Sequence, residues 1–299
     1  MFRESVSAQN AGPDAQPGLM RDSLFSFRSP KGYFPMLFTN FKEQAVAPFR
    51  MSQKQVVRLM AGTGVLAAMI YFDGDIDRYF RPVKSRNHLI REVSQEYTEL
   101  GDYYGLSLLG VYGVYGLAAH KSKGFETALL ASQASICAGT WTRAFKMLTA
   151  RMRPGATYGD AEYPEGNWFG PFGQFNSKNN PRGIAAFDAF PSGHTSIAFS
   201  LATVFAKQYE DEKIVPVIAY TLATLVGLSR MVEHEHWASD VFAGAVLGYW
   251  CGNEVVQHYR KLFPMHDGNV SLRKNNFREY HLFPFAGRAG AGMQFTCIF

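Results

Sequence analysis

Eight residues carry chemistry by type and spacing: Lys146, Arg153, Ser192, Gly193, His194, Arg230, His236 and Asp240. The run Phe190-Pro191-Ser192-Gly193-His194-Thr195 stands just ahead of the apolar stretch Ser196–Phe205. Pro191 pre-sets a turn, and Ser192 or Thr195 can cap the helix that the apolar stretch implies. Gly193 lets a backbone N–H approach a ligand closely because no Cβ stands in the way. Free N–H groups and the positive end of a helix dipole make an anion site, for which phosphate is the usual guest. His194 can give or take a proton there at neutral pH.

Lys146 and Arg153 are seven residues apart, so two turns of helix place them on one face, and Pro154 is expected to stop that helix just beyond them. Ser229-Arg230 ends a second apolar run. His236 and Asp240 follow at i and i+4 of a new helix, where the carboxylate can accept from one imidazole nitrogen and leave the other free to attack or to shuttle protons. Lys146, Arg153 and Arg230 supply positive charge, the arginines in bidentate form. Backbone N–H groups at Ser192 and Gly193 add fixed donors where charge builds in a transition state. One imidazole attacking phosphorus and the other protonating a leaving alcohol completes a phosphomonoesterase, or a diphosphate-cleaving relative, that needs no metal and no other cofactor.

The elements that must position these groups are apolar helices. Five stretches look helical: Leu59–Phe72, Tyr103–Ala119, Thr127–Trp141, Ile214–Leu228 and Val241–Gly252, with Ser196–Phe205 a sixth. Most fall short of the ~18 uninterrupted apolar residues that make a membrane span secure. Small residues recur in them (Gly105, Gly110, Gly113, Gly116; Gly244, Ala245, Gly248) and permit close helix packing. Arg86–Gly101 is polar and mildly amphipathic, as a surface or interfacial helix would be. Up-and-down threading explains why the eight residues meet. The helix through Lys146 finishes at Arg153, the next starts at Ser192, the following one finishes at Arg230, and the last starts near His236, so all lie at one end of a bundle.

Composition narrows the class. Of 299 residues, 47% are hydrophobic and 18% charged, less charge than the ~25% of an ordinary soluble chain. The mean hydropathy of −0.13 is diluted by polar termini. A net charge of +5, scattered and without interleaved stacking aromatics, gives no reason to expect nucleic acid. Cys137, Cys251 and Cys297 are odd in number and read as small core hydrophobes. Residues 1–50 lack periodicity and a secretory leader, so a partly irregular N-terminal arm is expected. Asp160–Asp188 is a long insertion rich in aromatics, Gly, Asn and Pro, of a length that usually serves as a lid or substrate wall. The tail ends in one weakly alternating strand, too little to close a barrel, and Asn269-Val270-Ser271 fits a glycosylation sequon.

Two other chemistries are set aside. Ser192 with a His and an Asp hints at a serine hydrolase, but G-x-S-x-G is missing and the cations would have no role. Glu233-His234-Glu235-His236 hints at a metal site, but histidines at i and i+2 of a helix face different ways.

Lys146-x6-Arg153-Pro154, Pro191-Ser192-Gly193-His194 and Ser229-Arg230-x5-His236-x3-Asp240 resemble the three signature motifs of the type 2 phosphatidic acid phosphatase superfamily, complete and in order, across about residues 140–245. The resemblance implies an all-α helical bundle shared with vanadium haloperoxidases and bacterial acid phosphatases, and a phospho-histidine intermediate. It implies His236 as nucleophile, His194 as general acid, Asp240 as the group orienting His236, and Lys146, Arg153, Ser192, Gly193 and Arg230 as phosphate ligands. The expected organisation is an arm (1–50), a helical domain (51–262) and a tail (263–299). The expected substrate is a lipid phosphate or isoprenyl diphosphate, with a small phosphate ester as the alternative. Lys121, Lys123, Lys207, Lys213, Arg260 and Lys261 gather at the end opposite the site. In a multi-pass membrane protein this bias puts the site on the periplasmic or extracytoplasmic side. A soluble or periplasmic acid phosphatase of broad specificity, a vanadate-dependent haloperoxidase and a membrane scaffold with a dead site are the competing readings.

Overall fold

Helical structure starts well inside the stretch expected to be an irregular arm. Pro30–Val46 forms α1, followed by a 3-10 turn at Ala47–Arg50. A computed structural model of the chain describes residues 30–100, 103–119, 121–157, 168–175, 183–263, 279–287 and 290–298. Met36 of α1 lies in the central core, and polar side chains fasten the helix to the bundle. Asn40 Nδ2 donates to Gln133 Oε1 at 2.7 Å, and Trp141 Nε1 donates to Gln44 Oε1 at 2.8 Å. Asn40 Oδ1 also meets His258 Nδ1 at 2.5 Å. Buried polar residues of this kind break an apolar period, which is why hydropathy alone left 30–46 unassigned.

Seven longer helices follow: α2 (Gln53–Arg86), α3 (His88–Leu100), α4 (Tyr103–Ala118), α5 (Ser122–Thr149), α6 (Gly193–Gln208), α7 (Ile214–Val232) and α8 (Ala238–Leu262). Ser52 caps α2: its hydroxyl accepts from the Gln55 N–H while its own N–H donates to Gln55 Oε1 at 2.8 Å. By length and composition, Gln53–Val83 and Ile214–Val232 can each cross a membrane. The apolar window of the first is wholly unburied, and a third of that of the second is buried. The short polar helix expected at 86–101 is α3.

The core runs through α5 and α8, with Leu130, Ala134, Cys137 and Ala138 facing Leu247, Cys251, Val255 and Val256, and Val204 of α6 joining them. Cys137 and Cys251 are buried there as free thiols. Along the α6–α8 seam the backbones nearly touch. A Cβ on Gly248 would stand 2.2 Å from the Ser196 carbonyl oxygen, and Gly244 and Gly252 repeat the contact at Ser192 and Ser200. Only hydrogen fits at such an approach, so this stripe fixes the height at which the start of α6 meets the start of α8. All regular elements described up to Phe263 are helical, apart from an isolated bridge between Arg151 and Trp168.

The chain divides into two compact units between Phe263 and Pro264. In the second, β1 (Glu279–Gly287) pairs antiparallel with β2 (Gly290–Ile298), so the tail holds two strands where the alternating pattern suggested one. The sequon at 269–271 lies outside the described residues, as do 1–29 and most of the 160–188 insertion.

Candidate active site

Helix α5 does not run on to Pro154. It stops at Thr149, because Ala150 takes a left-handed conformation (φ 42°) and its N–H closes on the Lys146 carbonyl. Gly is the usual signal for such a stop, and Ala gives none. Arg153 therefore does not share a helical face with Lys146; it sits in an extended segment whose N–H donates to the Ala186 carbonyl at 2.9 Å. Pro154 begins a separate helical turn, Pro154–Thr157, the first-turn position to which its fixed φ suits it.

The two cations nevertheless meet, because Asp188 lies between them. Lys146 Nζ is 3.3 Å from Asp188 Oδ2, and Arg153 donates from Nε and Nη2 to Oδ1 at 2.9 and 2.6 Å. Arg143 stands 3.8 Å from the same carboxylate. Glu235 completes the ring: its Oε2 accepts from Arg153 Nη1 and lies 3.7 Å from Arg230 Nη2. Helix α3 closes the other side, with Arg230 Nη1 donating to Thr98 Oγ1 at 3.2 Å and Ser94 Oγ donating to Glu233 Oε1 at 2.5 Å.

Ser192 is the residue preceding α6, as expected, but its hydroxyl does not cap the helix. It accepts instead from Thr195 Oγ1 at 2.9 Å, and its N–H donates to the Asp240 carbonyl at 3.0 Å. No side-chain cap thus covers the first turn, which carries Gly193 and His194. A Cβ on Gly193 would meet Thr142 Cγ2 at an ordinary 3.6 Å, so packing does not demand glycine here.

His236 stands two residues before α8 rather than within it. Its Nδ1 is 2.7 Å from the Ala189 carbonyl oxygen. A carbonyl only accepts, so Nδ1 carries the proton and Nε2 is the nitrogen with the lone pair. Asp240 is 3.8 Å from Nδ1, within ion-pair range but beyond a hydrogen bond. The expected direct Asp240–His236 hydrogen bond is therefore replaced by one from His236 to Ala189. Asp240 Oδ2 accepts from the Trp237 N–H at 2.9 Å, and Oδ1 accepts from Arg151 Nη1 at 2.6 Å. The i, i+4 spacing misled because His236 is outside the helix and the carboxylate serves the helix start.

Arg151, unmarked by the sequence reading, is the hub beneath the site and is 1% exposed. Besides Asp240 it donates to Ser239 Oγ at 2.6 Å and to Asp73 Oδ2 of α2 at 2.7 Å. Its guanidinium lies 4.6 Å from the Trp168 ring and 5.3 Å from Trp237. Trp237 is pinned in turn by donation from Nε1 to the Met152 carbonyl at 2.8 Å. Of the aromatic insertion, Trp168 covers Arg151, and Phe169 meets Phe187 edge-on at 4.8 Å. The side chains of 233–236 diverge to four separate partners, Ser94, Asp77, Arg153 and the Ala189 carbonyl.

The charge balance is uneven. Burial alone would raise the Asp188 carboxyl, but Lys146 and Arg153 outweigh it and hold the group below the usual carboxylate range. Burial, reinforced by Arg230, Lys146 and Arg153, pushes His194 down to about 3. Burial and the same cations hold His236 well below its ordinary value. Both imidazoles are thus neutral, and they face cations whose field favours an incoming anion.

The arrangement gathers Lys146, Arg153 and Arg230, the carboxylates of Asp188 and Glu235, and two histidines at one end of a helical bundle. Residues 127–264, the segment that carries most of the site, match the PAP2 superfamily. The chain is similar to a lipid A 1-phosphatase of Porphyromonas gingivalis (45% identity over 78 residues, 23% of this chain) and to a probable diacylglycerol pyrophosphate phosphatase 1 of Schizosaccharomyces pombe (34% over 90 residues, 26% of this chain). It spans 17% and 31% of those two proteins. Among solved structures, it is similar to the first transmembrane PAP2 type phosphatidylglycerolphosphate phosphatase from Bacillus subtilis, with 19% identity and a TM-score of 0.47 over 70% of this chain and 98% of that one.

Proposed function

We propose that the chain is a phosphatase that hydrolyses a phosphorylated lipid through a phospho-histidine intermediate. The observation that carries this reading is the ring of Lys146, Arg153 and Arg230 around His194 and His236, with the carboxylates of Asp188 and Glu235 set against the cations. A phosphoryl group entering there exchanges the Glu235 carboxylate for its own oxygens on Arg153 and Arg230. The uncapped first turn of α6 adds the N–H donors of Gly193 and His194 as charge grows on the equatorial oxygens.

His236 Nε2 attacks phosphorus, and the Ala189 carbonyl, holding the Nδ1 proton, stabilises the cationic phospho-imidazole that forms. The P–O bond to the alcohol breaks, and His194 gives that oxygen its proton. Neutral in the empty site, His194 takes up the proton as the negative phosphate arrives. Water, deprotonated by His194, then attacks the phospho-histidine, releasing inorganic phosphate and restoring His236. Asp240 acts at one remove, holding Trp237 and Arg151 so that the turn carrying His236 keeps its place. The three cations supply the charge stabilisation that a metal supplies in other phosphatases.

The lipid substrate is inferred from the relatives named for lipid phosphates and from the apolar length of Gln53–Val83 and Ile214–Val232. In this reading the bundle is membrane-inserted, with the site at the end opposite the basic residues and so on the periplasmic or extracytoplasmic side. The test is release of inorganic phosphate by purified protein in chelator from phosphatidate, phosphatidylglycerophosphate, lipid A, diacylglycerol pyrophosphate and a soluble aryl phosphate. Turnover of at least one lipid well above the aryl phosphate supports the reading. Turnover of the aryl ester alone removes the lipid assignment, and no turnover of any of them removes the enzyme assignment.

A further inference from the structure

An apolar groove begins one helical turn from His194 and Arg230, at Ala198 and Val226, and runs to a basic pocket at the end of the bundle away from the site. The groove, of about 680 Å³, lies between α4, α6 and α7, with Leu109, Ala198, Ala202, Ala219 and Leu222 among its walls. Along α7 it reaches from Val215 to Val226, about 16 Å at helical rise, which matches half of a ~30 Å hydrocarbon core. Tyr112 and Tyr115 line its end and also line a second cavity of about 390 Å³, shared with Lys121, Ser122, Lys123 and Tyr209. These residues sit at the start of α5 and the end of α6, the helix ends remote from Lys146 and His194.

The two lysines there are held by aromatic groups instead of acids. Lys121 Nζ donates to Tyr115 Oη at 3.2 Å, and Lys123 Nζ lies 4.7 Å over the Tyr209 ring. No carboxylate pairs with either ammonium among the described residues. A groove one leaflet deep that ends at two cations without counter-ions has the charge and polarity pattern of a single anionic phospholipid.

We infer that this groove and pocket bind one anionic glycerophospholipid of the leaflet opposite the active site, an acyl chain in the groove and the phosphate on Lys121 and Lys123. The inference rests on the membrane-inserted reading but not on the phosphatase chemistry. The bound lipid is a structural ligand, in a different place from the phosphate that His236 would attack.

The test is thermal unfolding of the detergent-solubilised full chain with added phosphatidylglycerol or phosphatidylcholine, with native mass spectrometry counting bound lipids. Phosphatidylglycerol in large excess should raise the wild-type Tm by about 5 °C and leave one lipid bound, with phosphatidylcholine giving a much smaller shift. The double variant K121Q/K123Q should respond equally to the two lipids. Leu222→Trp, at a half-exposed groove wall, should respond to neither, and Ala219→Trp is the second groove-filling variant if the first does not fold. Equal wild-type responses, or a headgroup preference retained in K121Q/K123Q, would overturn the inference. A dimer in light scattering that Leu222→Trp makes monomeric would assign the groove to a second copy instead. Catalysis is not the readout, so a protein with no turnover still gives a clear result.

Discussion

The His236 imidazole donates from Nδ1 to the Ala189 carbonyl, while Asp240, four residues on, binds the Trp237 N–H and the Arg151 guanidinium. The residue that orients the proposed nucleophile is thus a backbone carbonyl next to Asp188, the carboxylate joining Lys146 to Arg153. Anything that shifts Asp188 moves both the cations and the histidine.

Removing one partner of the buried Arg151–Asp240 pair leaves an uncompensated charge. Asp240→Ala and Arg151→Met should each destabilise the fold by about 3–5 kcal/mol, read by denaturant unfolding. The double variant should lose clearly less than the two losses added together. Additive losses would show that the two side chains act separately.

Glu235 is the most accessible carboxylate against the cations, its side chain 38% exposed against 13% for Asp188. Glu235→Gln should therefore lower the inhibition constant of inorganic phosphate by about fivefold, the scale of a half-exposed ion pair, with KM falling in parallel. A weaker inhibition constant would mean that Glu235 serves to hold Arg153 in place.

Both imidazoles are neutral in the empty site because burial and the neighbouring cations depress them. The unfolded chain takes up these protons near pH 6.5 and the folded chain only far lower, so stability is complete above pH 6.5. It should fall as pH drops toward 3, by up to about 1.4 kcal/mol per pH unit for each histidine. His194→Gln should flatten that slope, measured as Tm against pH. Phosphate binding should take up close to one proton in wild type and none in His194→Gln, measured by calorimetry in buffers of different ionisation enthalpy.

The α6–α8 seam admits no side chain at Gly248, where a Cβ would stand 2.2 Å from a backbone oxygen. Gly248→Ala should cost about 1–3 kcal/mol. It should also lower activity by separating His194 from His236, read as reduced kcat in the fraction that remains folded.

The helices and their common end were legible because apolar runs and motif spacing are local signals. What escaped depended on contacts distant in sequence. Arg151 reads as one more basic residue until Asp73, 78 positions away, is found against it. Asp188 and Glu235 lie in loops with no period, and Thr98 meets Arg230 across 132 positions. The early end of α5 turns on one left-handed Ala150, which has no sequence signature. α1 was hidden by Asn40 and Gln44, polar residues buried against partners distant in sequence: Gln133 and His258 for Asn40, and Trp141 for the Gln44 carbonyl oxygen.

The most direct measurement of the central claim is a rapid acid-free quench of enzyme turning over a phosphorus-radiolabelled lipid, followed by mapping of the labelled peptide. A base-stable, acid-labile label on His236 is expected, absent in His236→Ala and accumulating in His194→Ala. Label retained in His236→Ala, or full turnover by that variant, would contradict it.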